Sequence, residues 1–178
     1  MSQREQLTRA QLESLDIAAR VSACLSLTGS SLTLTSYLSY HPLRKPFNRL
    51  AFCIAIANLF GCLAYSWGIH PLDHGRNSAF CQTQGFFIEW FVMTDPLLAL
   101  VMATSVFLRI CAKRDVNEIR LFENIGVACA FILPFIPALA FLIWRPNGFT
   151  VYGPAGTWCW VSKQSNLLRL VAFYVPIW

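Results

Sequence analysis

Apolar runs long enough to cross a lipid bilayer recur along this chain, and they constrain its fold more than any other feature. A hydrocarbon core about 30 Å thick needs roughly 20 helical residues. Backbone N–H and C=O groups find no water there, so each run must satisfy its own hydrogen bonds as a helix. Runs of this kind predict spans at about 17–38, 50–69, 82–110 and 125–143. A last apolar run starts near Leu167 and stops at Trp178, too short to cross. The expected fold is all-α, a polytopic transmembrane helix bundle of four complete spans and the start of a fifth.

Composition agrees. The 178 residues are 56% hydrophobic and 13% charged, against about 25% charged in average soluble domains. Mean hydropathy is +0.49. The net charge of +5 sits between the apolar runs, where it sets membrane orientation rather than binding nucleic acid. Residues 1–16 form a polar N-terminal tail without a cleavable signal pattern. The first span therefore acts as its own insertion signal. The chain stops inside an apolar run, which reads as a truncated frame or a fragment.

The connections are readable too. The first and third carry Arg44, Lys45, Arg49, Lys113, Arg114 and Arg120, with Arg109 at the edge. The second and fourth carry Arg76, Arg145 and Lys163, with Arg169 at the edge. The positive-inside rule then puts the first and third in the cytoplasm and the N-terminus outside. Ser22, Ser26, Gly29, Ser30 and Thr33 give the first span a small-residue face, as Cys53, Ala57 and Gly61 do the second. Such faces let helices approach closely.

Several residues are candidates for chemistry. Among seven cysteines, Cys81 and Cys159 alone fall in polar connections on the outer side, where an oxidising compartment permits a disulfide. Two unrelated thiols are the alternative. Acids inside spans are costly and face the bundle interior. Glu89 is a candidate ligand contact. Asn58, Asp95 and Pro96 are a candidate intramembrane polar switch, with Pro96 able to kink the third span. Structural hydrogen bonding, for instance to Asn58, is the competing role for both acids.

Trp158 and Trp160 offer a ligand lid or, more simply, anchors at the interface. Arg109, Lys113 and Arg114 are placed to meet a cytoplasmic partner, although positive-inside charge alone would account for them. Cys111 beside them is a candidate for palmitoylation. There is no metal-ligand spacing, nucleophile elbow, phosphate loop, HExxH or glycosylation sequon. No enzyme activity, cofactor or metal is expected.

Three stretches carry a resemblance. The third span opens on Cys81-Gln82-Thr83-Gln84-Gly85-Phe86-Phe87 and contains Thr94-Asp95-Pro96-Leu97-Leu98-Ala99-Leu100-Val101-Met102-Ala103. The loop after the fourth reads Tyr152-Gly153-Pro154-Ala155-Gly156-Thr157-Trp158-Cys159-Trp160-Val161. Together they resemble the cyclic-AMP-receptor-like G-protein-coupled receptors of slime moulds and fungi. The related fungal glucose-sensing receptors are similar in the same places. The resemblance implies that residues 17–178 are the first part of a seven-helix receptor in the plasma membrane, with an outer N-terminus and a Cys81–Cys159 disulfide. It also implies an extracellular ligand and a heterotrimeric G protein inside the cell. The inner end of the third span reads Leu108-Arg109-Ile110-Cys111 rather than Asp-Arg-Tyr.

Two other classes compete with a signalling receptor. One is a membrane scaffold or interaction protein, a truncated receptor that dimerises with a full-length copy. The other is a transporter piece with Glu89 and Asp95 on an ion path, against which the lack of an internal repeat counts.

Overall fold

The computed structural model describes residues 9–43, 46–145, 149–162 and 166–170. Four helices are long and apolar enough to cross a membrane: α1 (Arg9–Ser39), α2 (Pro46–Ser66), α4 (Ala79–Ile110) and α5 (Val116–Ile143). A short α3 (His70–Asp73) lies between α2 and α4. After α5 come two short strands, β1 (Tyr152–Pro154) and β2 (Cys159–Val161), and a short α6 (Asn166–Arg169). The all-α bundle expected from the apolar runs is the fold observed. The antiparallel hairpin β1–β2 was not anticipated.

The helix ends differ from the apolar runs for local reasons. The helix α1 begins at Arg9, so residues 9–16 of the supposed tail are helical. An Asp16–Arg20 ion pair at 2.9 Å, one turn apart, supports that polar extension. The helix α2 stops at Ser66, short of Ile69, because Gly68 takes φ +55°, a left-handed conformation that ends helices. The helix α4 starts at Ala79 because the Ser78 side chain accepts a hydrogen bond from the Cys81 N–H.

The largest correction concerns α5, which starts at Val116 rather than Ile125. The charged stretch 111–123 is thus a loop only as far as Asp115. Asp115 caps the helix by accepting from the Asn117 N–H at 3.3 Å, and Glu118 in the first turn suits the helix dipole. Of the last apolar run, residues 171–178 lie outside the described residues, as do residues 1–8 of the tail and Arg44, Lys45 and Lys163.

The helix α4 is central, packing on α2, α5 and both strands. Ala57, Phe91, Leu98 and Ala130 form a buried cluster joining α2, α4 and α5. A second cluster, Ala64, Ile88, Phe141, Val151, Tyr152, Trp160 and Val161, joins their ends to the hairpin. The helix α1 leans on α2, with Tyr37 and Phe52 stacked at 4.6 Å. Its apolar residues are largely exposed, Leu25 by 70%, as befits a face turned to lipid.

Candidate functional site

Polar groups gather at three levels along the bundle: a cap built around the hairpin, a pair midway, and a cluster at the basic-loop end. The cap is the most elaborate. Cys81, in the first turn of α4, is bonded to Cys159 at the start of β2. The hairpin pairs Tyr152 with Val161, Gly153 with Trp160 and Pro154 with Cys159. The bond thus fixes one strand of a ladder to the end of α4.

Polar side chains reinforce it. Fully buried Gln84 donates to the Ala64 and Gly68 carbonyls at 3.0 and 3.1 Å, and accepts from the Cys159 N–H at 2.8 Å. One side chain thereby joins the end of α2, α4 and β2. Arg76 donates to the Thr150 carbonyl at 2.6 Å and to Ser162 Oγ at 3.1 Å. Gln82 donates to the Arg76 and Tyr152 carbonyls. Tyr152 packs over Gly85, where any side chain would collide: an added Cβ would lie 2.7 Å from the ring. Burial pushes the Tyr152 phenol up, so it keeps its proton and donates to the Ala138 carbonyl at 2.9 Å.

Beneath the disulfide, Glu89 is 1% exposed. Its Oε2 accepts from the Trp160 indole N–H at 2.6 Å. Its Oε1 is buried without a hydrogen-bond donor among the described residues. Arg169 lies over the Trp160 ring at 5.0 Å and donates to the Val161 carbonyl. A buried carboxylate on α4, a strand residue and the start of α6 thus form one chain of contacts. Trp160 is buried rather than anchored at a lipid interface, because its N–H finds the acid below. Trp158 meets Tyr65 edge-on, with ring centroids 5.2 Å apart.

Midway, Asn58 donates to Asp95 Oδ1 at 3.2 Å. The helix α4 continues unbroken through Pro96. Beside this pair a crevice of about 540 Å³ opens between α1, α2 and α4, lined by Ser26, Ser30, Thr33 and Asn58 among others. The small-residue face of α1 therefore borders a crevice lined by hydroxyl and apolar groups together.

At the basic-loop end, Lys113 and Arg114 are exposed, and Arg114 pairs with Glu118 at 3.6 Å. Arg109 turns inward to Glu123 Oε1 at 3.9 Å. Arg49 reaches Glu123 Oε2 at 3.4 Å. Glu123 is 1% exposed. The sequence marks Arg76 only as a loop charge and gives neither Glu123 nor Gln84 a role. No local motif marks these three, since their side chains act through partners about 14 to 86 residues away. The free Cys111 is exposed.

Comparison with known proteins adds to this geometry. The family model described as slime mold cyclic AMP receptor matches residues 6–178. The chain is similar to cyclic AMP receptor-like protein A of Dictyostelium discoideum, 24% identical over 172 residues. The alignment takes in 96% of this chain and 42% of that protein, so the chain spans less than half of its relative's length.

Proposed function

Because this chain belongs to the slime mold cyclic AMP receptor family, a family of multi-pass membrane receptors, we propose that it takes part in detecting an extracellular ligand and signalling to a heterotrimeric G protein. The cap end faces outward and the basic loops face the cytoplasm, with the N-terminus outside at the plasma membrane. The distribution of arginine and lysine between alternate loops supports that orientation. Catalysis has no part in this reading.

The observation that carries it is the contact chain Glu89–Trp160–Arg169 under the disulfide. A ligand that favours one placement of the hairpin acts directly on a buried group of α4, the helix that packs on α2, α5 and both strands. A ligand shifts a conformational equilibrium only through such a difference in contacts between states. Glu89, Trp158 and Trp160 are the proposed ligand-responsive residues, and Asn58 with Asp95 the polar hinge below them. Arg109, Lys113 and Arg114 are assigned to the G-protein side.

The test is a heterotrimer-dissociation assay in cells expressing this chain, or the longest natural product of its gene. Cyclic AMP comes first, followed by other nucleotides, sugars, peptides and lipids. A dose-dependent response abolished by Trp160→Phe is expected. Silence from both products toward every class would overturn the reading. Silence from this chain alone, together with its co-purification with the longer product, would assign it the scaffold role instead.

A further inference from the structure

The basic-loop end holds a device that the receptor reading does not require. Glu123 lies two turns inside α5, and its carboxylate is almost wholly enclosed. Charge enclosed in this way needs compensation. The compensation comes from two other helices, Arg49 at the start of α2 and Arg109 near the end of α4. Neither contact is tight. The pairs measure 3.4 and 3.9 Å, and Glu123 Oε1 accepts no hydrogen bond.

The two arginine side chains stay 36% and 44% exposed while the acid they hold is 1% exposed. A cavity of about 280 Å³ adjoins Arg109, lined also by Ser105, Val106, Ile110 and Glu123. The arginines therefore have a second place to go, outward into water. The acid has none. Without the acid, two guanidinium groups on neighbouring helices would face one another and repel.

We propose that Glu123 is a latch. It draws Arg49 and Arg109 inward and holds α2 and α4 against α5 at the basic-loop end, and it opens when the arginines turn outward. The latched and unlatched arrangements are two discrete states, which is what a switch requires. While latched, Arg109 is spent on Glu123 and is not offered to a cytoplasmic partner. An anionic group on such a partner competes with Glu123 for the same arginines. The regulatory role rests on the receptor reading; the latch itself does not.

The test uses this chain alone in lipid nanodiscs, with no ligand or partner. Spin labels are placed at Asn48→Cys on α2 and Arg120→Cys on α5, with the five free cysteines replaced and the disulfide kept. Pulsed dipolar spectroscopy then reads the α2–α5 distance. One narrow population is expected in the parent. In Glu123→Gln, a second and longer population should hold at least a third of the molecules. Arg49→Gln should do the same, and combining the two should add little.

An unchanged distribution in Glu123→Gln, with its helix content and disulfide intact, would end the proposal. Should that variant not fold, Arg49→Gln carries the same expectation, since its side chain is partly in water already. Because the readout is a distance and not a response, it fails or stands separately from the signalling assay.

Discussion

Replacing Trp160 by Phe tests the polar chain under the cap with little change of shape. The indole N–H is the only hydrogen-bond donor to Glu89 among the described residues. A hydrogen bond to a charged group contributes about 1.5–3 kcal/mol, and its loss leaves both carboxylate oxygens buried and unserved. Phe also holds the Arg169 guanidinium less well than Trp, at a cost of about 0.5–1 kcal/mol. Together these give an expected loss of about 2–4 kcal/mol.

Glu89→Gln should behave differently, because its amide oxygen still accepts the indole N–H and no charge stays enclosed. A change within about 1 kcal/mol is expected there, since a neutral hydrogen bond contributes about that much. In the double variant, Trp160→Phe should cost at least about 1 kcal/mol less than it does alone, a coupling typical of directly touching groups. Reversible unfolding in lipid–detergent micelles, followed by far-ultraviolet circular dichroism, measures all four proteins. The reasoning fails if Trp160→Phe costs under about 0.5 kcal/mol, below the range for any such bond. Additive single variants would also refute it.

Three further outcomes follow from the packing. Gly85→Ala should destabilise by about 1–3 kcal/mol, the usual cost of overpacking, because its Cβ meets the Tyr152 ring; Gly29→Ala, with open space around it, should show no loss in the same thermal melt. Gln84→Leu should cost about 2–4 kcal/mol, since it orphans the Cys159 N–H and removes donors from two carbonyls; the loss should be visible as a lower midpoint and faster amide exchange in β2. Cys159→Ser opens a 78-residue separation and should cost at most about 4–5 kcal/mol by loop-entropy reckoning, less because inserted spans already restrict the unfolded chain; melts with and without reductant should coincide for this variant and differ for the parent.

The existence of the spans was legible because bilayer thickness imposes a length that few other structures demand. Their ends were less so. Val116 to Glu123 carries charges that read as a loop, yet charge is what a helix start welcomes, and Glu123 is enclosed only because Arg49 comes from another helix. Cys81 and Cys159 could be picked out since they alone sit in polar connections on one side. Gln84 could not, because a glutamine next to a glycine looks ordinary until the end of α2 and the strand β2 close around it. Trp160 reads from sequence as a ligand lid or, since tryptophan favours that setting, an interfacial anchor. A carboxylate one level down is a stronger attraction, and nothing in the spacing of residues 89 and 160 reveals it. The hairpin was hidden in a segment that turn residues make look irregular.

The placement of sulfur bears on how the protein matures. Cys24, Cys53, Cys62 and Cys129 ride within membrane spans, and Cys111 sits at the far end of α4 from Cys81. On the proposed orientation, a catalyst of thiol oxidation at the cap would meet only Cys81 and Cys159. Gln84 and Arg76 dock the strands, and the two bonded backbones lie 5.3 Å apart. Seven cysteines would allow many wrong pairings in open solution. With the other five thiols in the spans or at the opposite end of α4, the bundle leaves a single pairing within reach at the cap.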